Sequence, residues 1–300
     1  MLERWPSLPW QEWQDTANTL HMWMQIVGKT KLALTPLRNH WWNVTFQLSA
    51  RGLTTGSIPY NNESFEIQFD FLEHRLLIAT SAGQVESLPL RPQSVADFYQ
   101  EYLAFLHRLA IDVKIWAMPV EIPDPIPFAE DRKHASYDAP YVTRFWRILQ
   151  QSDGVFRKFE VPFLGKASPV HFFWGSLDLA VTRFSGRPAP ERVGADSITR
   201  EAYSHEVISA GFWPGSGFGE AAFYCYAAPE PAGLAQKAIF PKAAFYSGQL
   251  KEFLFKYEDL RNAAFPEDDL LSFLNSTYDA AADLAGWDRV ALERRDSSAS

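Results

Sequence analysis

Apolar positions near the start of the chain recur at helical spacing. Trp13, Ala17, Leu20, Met24 and Val27 fall on one stripe that stops at Gly28, which predicts an amphipathic helix closed by a glycine. The period then changes to two. His40 to Arg51 is rich in aromatic and β-branched residues, Phe65, Ile67, Phe69 and Phe71 alternate with polar ones, and Leu76 to Thr80 runs into a Ser81-Ala82-Gly83 turn. This pattern predicts an antiparallel meander. Ser94 follows as a helix N-cap, with Asp97 at the positive end of the helix and Val95, Phe98, Tyr102, Phe105 and Leu109 as its buried stripe. A strand from Val113 to Met118 is expected to close this half.

Pro119, Pro123, Pro125 and Pro127 make the next segment a stiff connector, because each lacks the N–H that a helix or a central strand would use. Asp138 and Pro140 then start a helix with Phe145, Leu149, Phe156 and Phe159 on its apolar face, ending before Gly165-Lys166. Strands are predicted over Val170 to Arg183, Glu206 to Ser209, Ala221 to Tyr226 and Phe253 to Tyr257, and a last helix from Pro266 to Gly286. Beyond it the polar tail, residues 291–300, is expected to be disordered.

The two halves repeat an order. Gly28-Lys29 matches Gly165-Lys166, His40-Trp41-Trp42 matches His171-Phe172-Phe173, Leu48 matches Leu179, and Arg51-Gly52 matches Arg183 to Gly186. We read this as an internal duplication. The predicted fold class is therefore α+β: antiparallel sheets with packed helices, in two pseudo-repeated halves at residues 1–125 and 126–290.

Composition narrows the function classes. Of 300 residues, 47% are hydrophobic and 15% aromatic, enough for a large core. The net charge of −8, from 28 basic and 36 acidic residues, has no basic stripe of the kind nucleic acid binding needs. Cys225 is the single cysteine, which removes intrachain disulfides and multi-cysteine metal sites and makes the cytoplasm the expected compartment. The first residues lack the charged and apolar regions of a signal peptide, and no stretch approaches the ~20 apolar residues of a membrane span, so no membrane partner is expected.

Three groups of residues are candidates for chemistry. Period-two alternation puts Ser176, Asp178 and Thr182 on one face of the Val170 to Arg183 strand, and Asn43, Thr45, Gln47 and Ser49 on one face of the first. Such a face either lines a polar cleft or is simply turned to water. Arg183 and Arg187 flank a glycine turn that could aim two guanidinium groups at an anionic ligand, or they pair with surface carboxylates. His171, His205 and Glu206 open successive strands and form the candidate catalytic constellation. Glu206 would hold one imidazole tautomer while the other histidine acts as base, or all three would bind a divalent metal; the alternative is that the histidines are hydrogen-bonded structural groups.

Two glycine motifs are set aside. Gly28-Lys29-Thr30 lacks the first glycine of a phosphate loop, since Trp23 stands there, and Gly215-Ser216-Gly217-Phe218-Gly219 lacks a strand-turn-helix context. No motif specifies a cofactor.

The runs Trp5-Pro6-Ser7-Leu8-Pro9, Asn39-His40-Trp41-Trp42, Ala50-Arg51-Gly52-Leu53-Thr54-Thr55, Ser168-Pro169-Val170-His171-Phe172-Phe173-Trp174-Gly175-Ser176, Arg183-Phe184-Ser185-Gly186-Arg187 and Gly211-Phe212-Trp213-Pro214-Gly215 resemble the bacterial domain-of-unknown-function family 5996. The likeness extends over almost the whole chain. It implies a cytoplasmic bacterial protein of one compact unit and brings no activity, cofactor or catalytic residue with it.

The functional expectation accordingly rests on the residues. A small polar or anionic ligand would sit in a cleft between the halves, with Arg183 and Arg187 as anion contacts and Asp178 and Thr182 as orienting groups. The alternative class is an interaction module that uses an exposed aromatic patch of Trp5, Trp10, Trp13, Trp41, Trp213 and Trp287.

Overall fold

The computed structural model describes residues 3–294. Its elements run α1 (Trp10–Leu34), β1 (Gln47–Ser49), β2 (Gly52–Thr54), β3 (Ile58–Tyr60), β4 (Glu63–Asp70), β5 (Arg75–Thr80), β6 (Val85–Pro89), α2 (Val95–Arg108), α3 (Ala139–Glu160), β7 (His171–Phe173), β8 (Asp178–Pro188), α4 (Ser197–Ala202), β9 (His205–Trp213), β10 (Ala222–Ala228), β11 (Phe245–Ser247), β12 (Glu252–Lys256), α5 (Tyr257–Arg261), α6 (Pro266–Leu284) and α7 (Arg289–Leu292). Single 3-10 turns lie at Asn39–Trp41 and Leu234–Gln236. The fold is α+β with two antiparallel six-stranded sheets, as the alternating patterns predict.

The first sheet has the order β1-β2-β4-β5-β6, with β3 paired to β4, and the second the order β11-β12-β10-β9-β8-β7. Their edge strands meet. Phe46 and Phe172 exchange both backbone hydrogen bonds at 2.8 Å, so that β7 continues the hydrogen-bonding of the first sheet into the second.

Helix α1 lies at the centre, buried without interruption from Thr19 to Lys31. It does not stop at Gly28. The missing Cβ there leaves the space in which the Trp174 indole packs, so the glycine permits a close approach rather than a terminus. The caps at Ser94 and Asp138 form as predicted: each accepts a backbone N–H at 3.1 Å, from Asp97 and Tyr141 respectively.

Other expectations are corrected. The segment from His40 is a 3-10 turn and a loop, and only 47–49 pair as β1. Val113 to Met118 keeps its alternation, with Val113, Ile115 and Ala117 packed on the core, yet no strand pairs with it. The long strand from Val170 to Arg183 is a hairpin, turned at residues 174–177, where Leu177 has φ of 60°.

The pieces matched in the duplication occupy unlike settings. Gly28 is inside a helix while Gly165 is in a loop, and His40 is in a 3-10 turn while His171 opens a strand. One apolar core runs from Trp5 to Trp287 through both halves. Of the tail, residues 291–294 are ordered, since Glu293 bridges to Phe163 and accepts from Arg289 and Tyr278; residues 295–300 lie outside the described residues.

Candidate functional site

Alternation along β8 places Asp178, Ala180 and Thr182 on the sheet face away from α3 and α6, and the neighbouring strands extend that face with Ser209 on β9 and Tyr224 and Tyr226 on β10. Above it lies a cavity of about 650 Å3, a size typical of small-molecule sites. The sheet is its floor. Its walls are Trp42 from the 3-10 turn, Trp116, Val120 and Glu121 from the connector, Phe173 and Trp174 from the β7-β8 hairpin, and Lys29 from α1. Helix α4 and Tyr203 cover one side.

The polar floor is cross-linked by neutral hydroxyls. Thr182 and Ser209 hydroxyls are 2.8 Å apart, and those of Tyr203 and Tyr226 are 3.0 Å apart. Asp178 is 7% exposed; one carboxyl oxygen accepts from the Ser176 hydroxyl and the other from the Tyr224 hydroxyl. Tyr224 reaches it from two strands away because Gly211 intervenes on β9: a Cβ there would collide with the tyrosine hydroxyl.

Among the described residues no cation pairs with Asp178. Burial raises its pKa above the usual carboxylate range, against the pull of the two hydroxyls. Glu121, open to the cavity yet ringed by protein, and Glu252 on β12 are raised by burial and then by the Asp178 charge, Glu252 to about 7.

The surrounding elements are held firmly. Gln25 on α1 clamps the connector, donating to the Val120 carbonyl and accepting its N–H, both at 2.8 Å. His21 donates to the Gly175 carbonyl at 2.8 Å, and the Trp174 indole donates to the Val44 carbonyl at 2.7 Å. His40 donates through Nδ1 to the Glu201 and Ala202 carbonyls at 3.1 and 3.2 Å and accepts from Lys166 Nζ at 2.6 Å. Burial, and then the Lys166 charge, lower the His40 pKa. Left-handed φ values at His40 (57°), Trp41 (61°) and Glu121 (59°), none of them glycine, place backbone strain on the cavity rim.

The sequence-derived candidates separate. Asp178 and Thr182 stand together on the cavity floor. Arg183, one residue on, points to the opposite face, where its guanidinium donates to the Phe159 carbonyl and lies over the Phe159 and Tyr278 rings at 3.5 and 4.2 Å. Arg187 binds Glu206 at 2.7 Å and the carbonyls of Ala285 and Gly286 at 2.7 and 3.2 Å, which ties the end of β8 to the end of α6. Neither arginine lines the cavity.

The constellation of His171, His205 and Glu206 does not form. His171 pairs with Ala180 at the start of β8 and His205 with Pro188 at its end, with Trp42, Phe184 and His40 between the rings. His171 is buried behind Trp42, its Nδ1 donating to the Thr45 hydroxyl at 3.2 Å, while His205 meets Ser204 and Glu206 is spent on Ser185 and Arg187. No group of three or more His, Cys, Asp or Glu side chains converges to suit a metal among the described residues.

Nor do the six tryptophans make a surface patch. Trp5, Trp13 and Trp287 are buried, the other three are partly buried, and the exposed tryptophan is Trp116, 67% accessible at the cavity mouth. Among the described residues no helix is long and apolar enough to cross a membrane.

Glu121 and Tyr224 are not singled out by the sequence pattern, and Lys29 and Gly211 enter it only within longer motifs and not as site residues. No curated protein matches the chain, and no solved structure does. The model of the family of unknown function DUF5996 matches residues 5–294, and the protein belongs to that family.

Proposed function

We propose that the protein binds a small polar molecule in this cavity, with a protonated amine or similar donor at Asp178 and a flat apolar body between Trp42, Trp116 and Trp174. The observation that carries the reading is a buried carboxyl, accepting only from neutral hydroxyls, on the floor of an aromatic cavity. A buried acid without a counter-ion is costly to keep unless it has a use, and raised carboxyl groups in a cleft mark functional sites. Arg183 and Arg187 do not serve as anion contacts in this reading, because both are committed elsewhere. The buried, unpaired Cys225 fits a cytoplasmic setting, and the acidic charge balance favours a small molecule over nucleic acid as partner.

A thermal-shift series of matched indoles tests the reading: tryptamine, indole-3-ethanol and indole-3-acetate at equal concentration. Tryptamine is expected to raise Tm, since a ligand at 100 times its Kd stabilises by about 2.7 kcal/mol. Asp178→Asn should abolish the shift. Stabilisation by the acetate alone, or an undiminished amine effect in D178N, overturns the proposal.

A further inference from the structure

Along the buried stretch of α1, polar side chains are matched by protein groups. His21 has the Gly175 carbonyl, Gln25 the Val120 backbone, Thr30 the Tyr102 hydroxyl at 2.8 Å and Lys31 the Thr45 carbonyl. The Trp23 indole N–H is unpaired, and Lys29 differs in facing the cavity. It is 4% exposed, and among the described residues no acceptor or carboxylate lies within reach of its amine. Nζ stands 4.7 Å from the centre of the Trp116 ring and 5.9 Å from that of Trp174, and it borders the cavity. Gly28 beside it lets the Trp174 wall come against the helix. A lysine so placed is a largely buried amine, without a protein acceptor, bordering a cavity, a setting in which lysine serves as a nucleophile.

We propose that Lys29 is a carbonyl-reactive lysine that forms an imine with a small aldehyde or ketone held between Trp116 and Trp174. The neutral amine adds to the carbonyl carbon, making the N–C bond while the carbonyl electron pair moves to oxygen and takes up the proton that nitrogen loses. The resulting carbinolamine loses its hydroxyl as water after protonation, and the nitrogen lone pair closes the C=N bond as its second proton leaves. Glu121 and Asp178, which line the same cavity, are acids available for that protonation. No oxidant or reductant is consumed.

Burial alone lowers the Lys29 pKa from 10.5 to about 8, which raises the neutral fraction at pH 7 above that of an ordinary lysine. Lys31 supplies an internal control. It is also lowered to about 8, by burial and then by Arg38, but its amine is spent on the Thr45 carbonyl outside the cavity.

The test treats the full chain with benzaldehyde and sodium cyanoborohydride at pH 7 and maps benzylated lysines by mass spectrometry. Lys29 should be labelled at least about tenfold faster than the exposed Lys158, and Lys31 should stay unlabelled. Lys29→Met, checked by thermal unfolding to be folded, should lose that label and no other. Labelling of Lys29 no faster than Lys158, or equal labelling of Lys31, overturns the proposal, and the wild-type protein decides this without any variant. The inference shares the cavity with the amine-binding reading but does not depend on Asp178, because Glu121 lines the same cavity as an alternative acid. Lys29 labelling that persists in D178N, with the tryptamine shift absent from wild type, would sink that reading and leave this one standing.

Discussion

Gly28 and His171 show how much a single side chain, or its absence, constrains around the cavity. Alanine for glycine inside a helix ordinarily stabilises by about 1 kcal/mol. Here the added methyl would enter the Trp174 indole, so Gly28→Ala is expected to destabilise by about 1–3 kcal/mol in urea unfolding. A gain in stability would mean that Trp174 moves aside freely. The buried histidines set an acid limit. Burial lowers His171 to about 3, with Lys31 contributing, and His21 to about 4, from the ordinary 6.5. Below pH 6.5 the unfolded chain therefore binds protons that the folded chain refuses. Stability falls as pH drops from 6.5 towards 4, by roughly 1.4 kcal/mol per unit for each ring. His171→Asn should make the decline of the urea midpoint over that window shallower, and an unchanged slope would count against the assignment. The period-two rule made Asp178 and Thr182 legible as partners on one face. The same rule forbids Arg183 from joining them, since adjacent strand residues point oppositely. Tyr224 was out of reach of any local pattern, because its contact with Asp178 spans three strands and passes over Gly211.

Elements with local determinants were read correctly, and those that depend on partners were not. The helices α2 and α3 carry their own caps, and β4 and β5 carry their own alternation and turn. The extension of α1 beyond Gly28 depends on burial from every side. Val113 to Met118 has a strand's alternation but pairs with no strand among the described residues, so hydrogen-bond partners decide where periodicity cannot. Arg187 illustrates a tertiary link between elements. It brings positive charge to the last carbonyls of α6 while holding Glu206 on β9. Arg187→Ala should cost about 1 kcal/mol and speed hydrogen exchange in the last turn of α6, leaving α1 amides unchanged. Equal acceleration in α1 would show that the latch is not local.

At the scale of the whole molecule, the segment before α1 closes on α5. The Tyr257 hydroxyl donates to the Pro6 carbonyl at 2.7 Å, and Arg261 reaches the Trp5 carbonyl at 3.3 Å and Glu3 at 2.8 Å. The aromatic packing agrees, with Trp5 against Phe223 and Tyr257. These contacts matter for the order of events during synthesis. At ~5–20 residues per second, a ribosome needs roughly 13–50 s to travel from Trp5 to Tyr257. Throughout that interval Trp5 lacks its Tyr257 partner, and the apolar surface that α5 will cover stays open. A chain truncated before α5 is therefore expected to leave Trp5 uncovered and to unfold at a lower urea midpoint than the full chain.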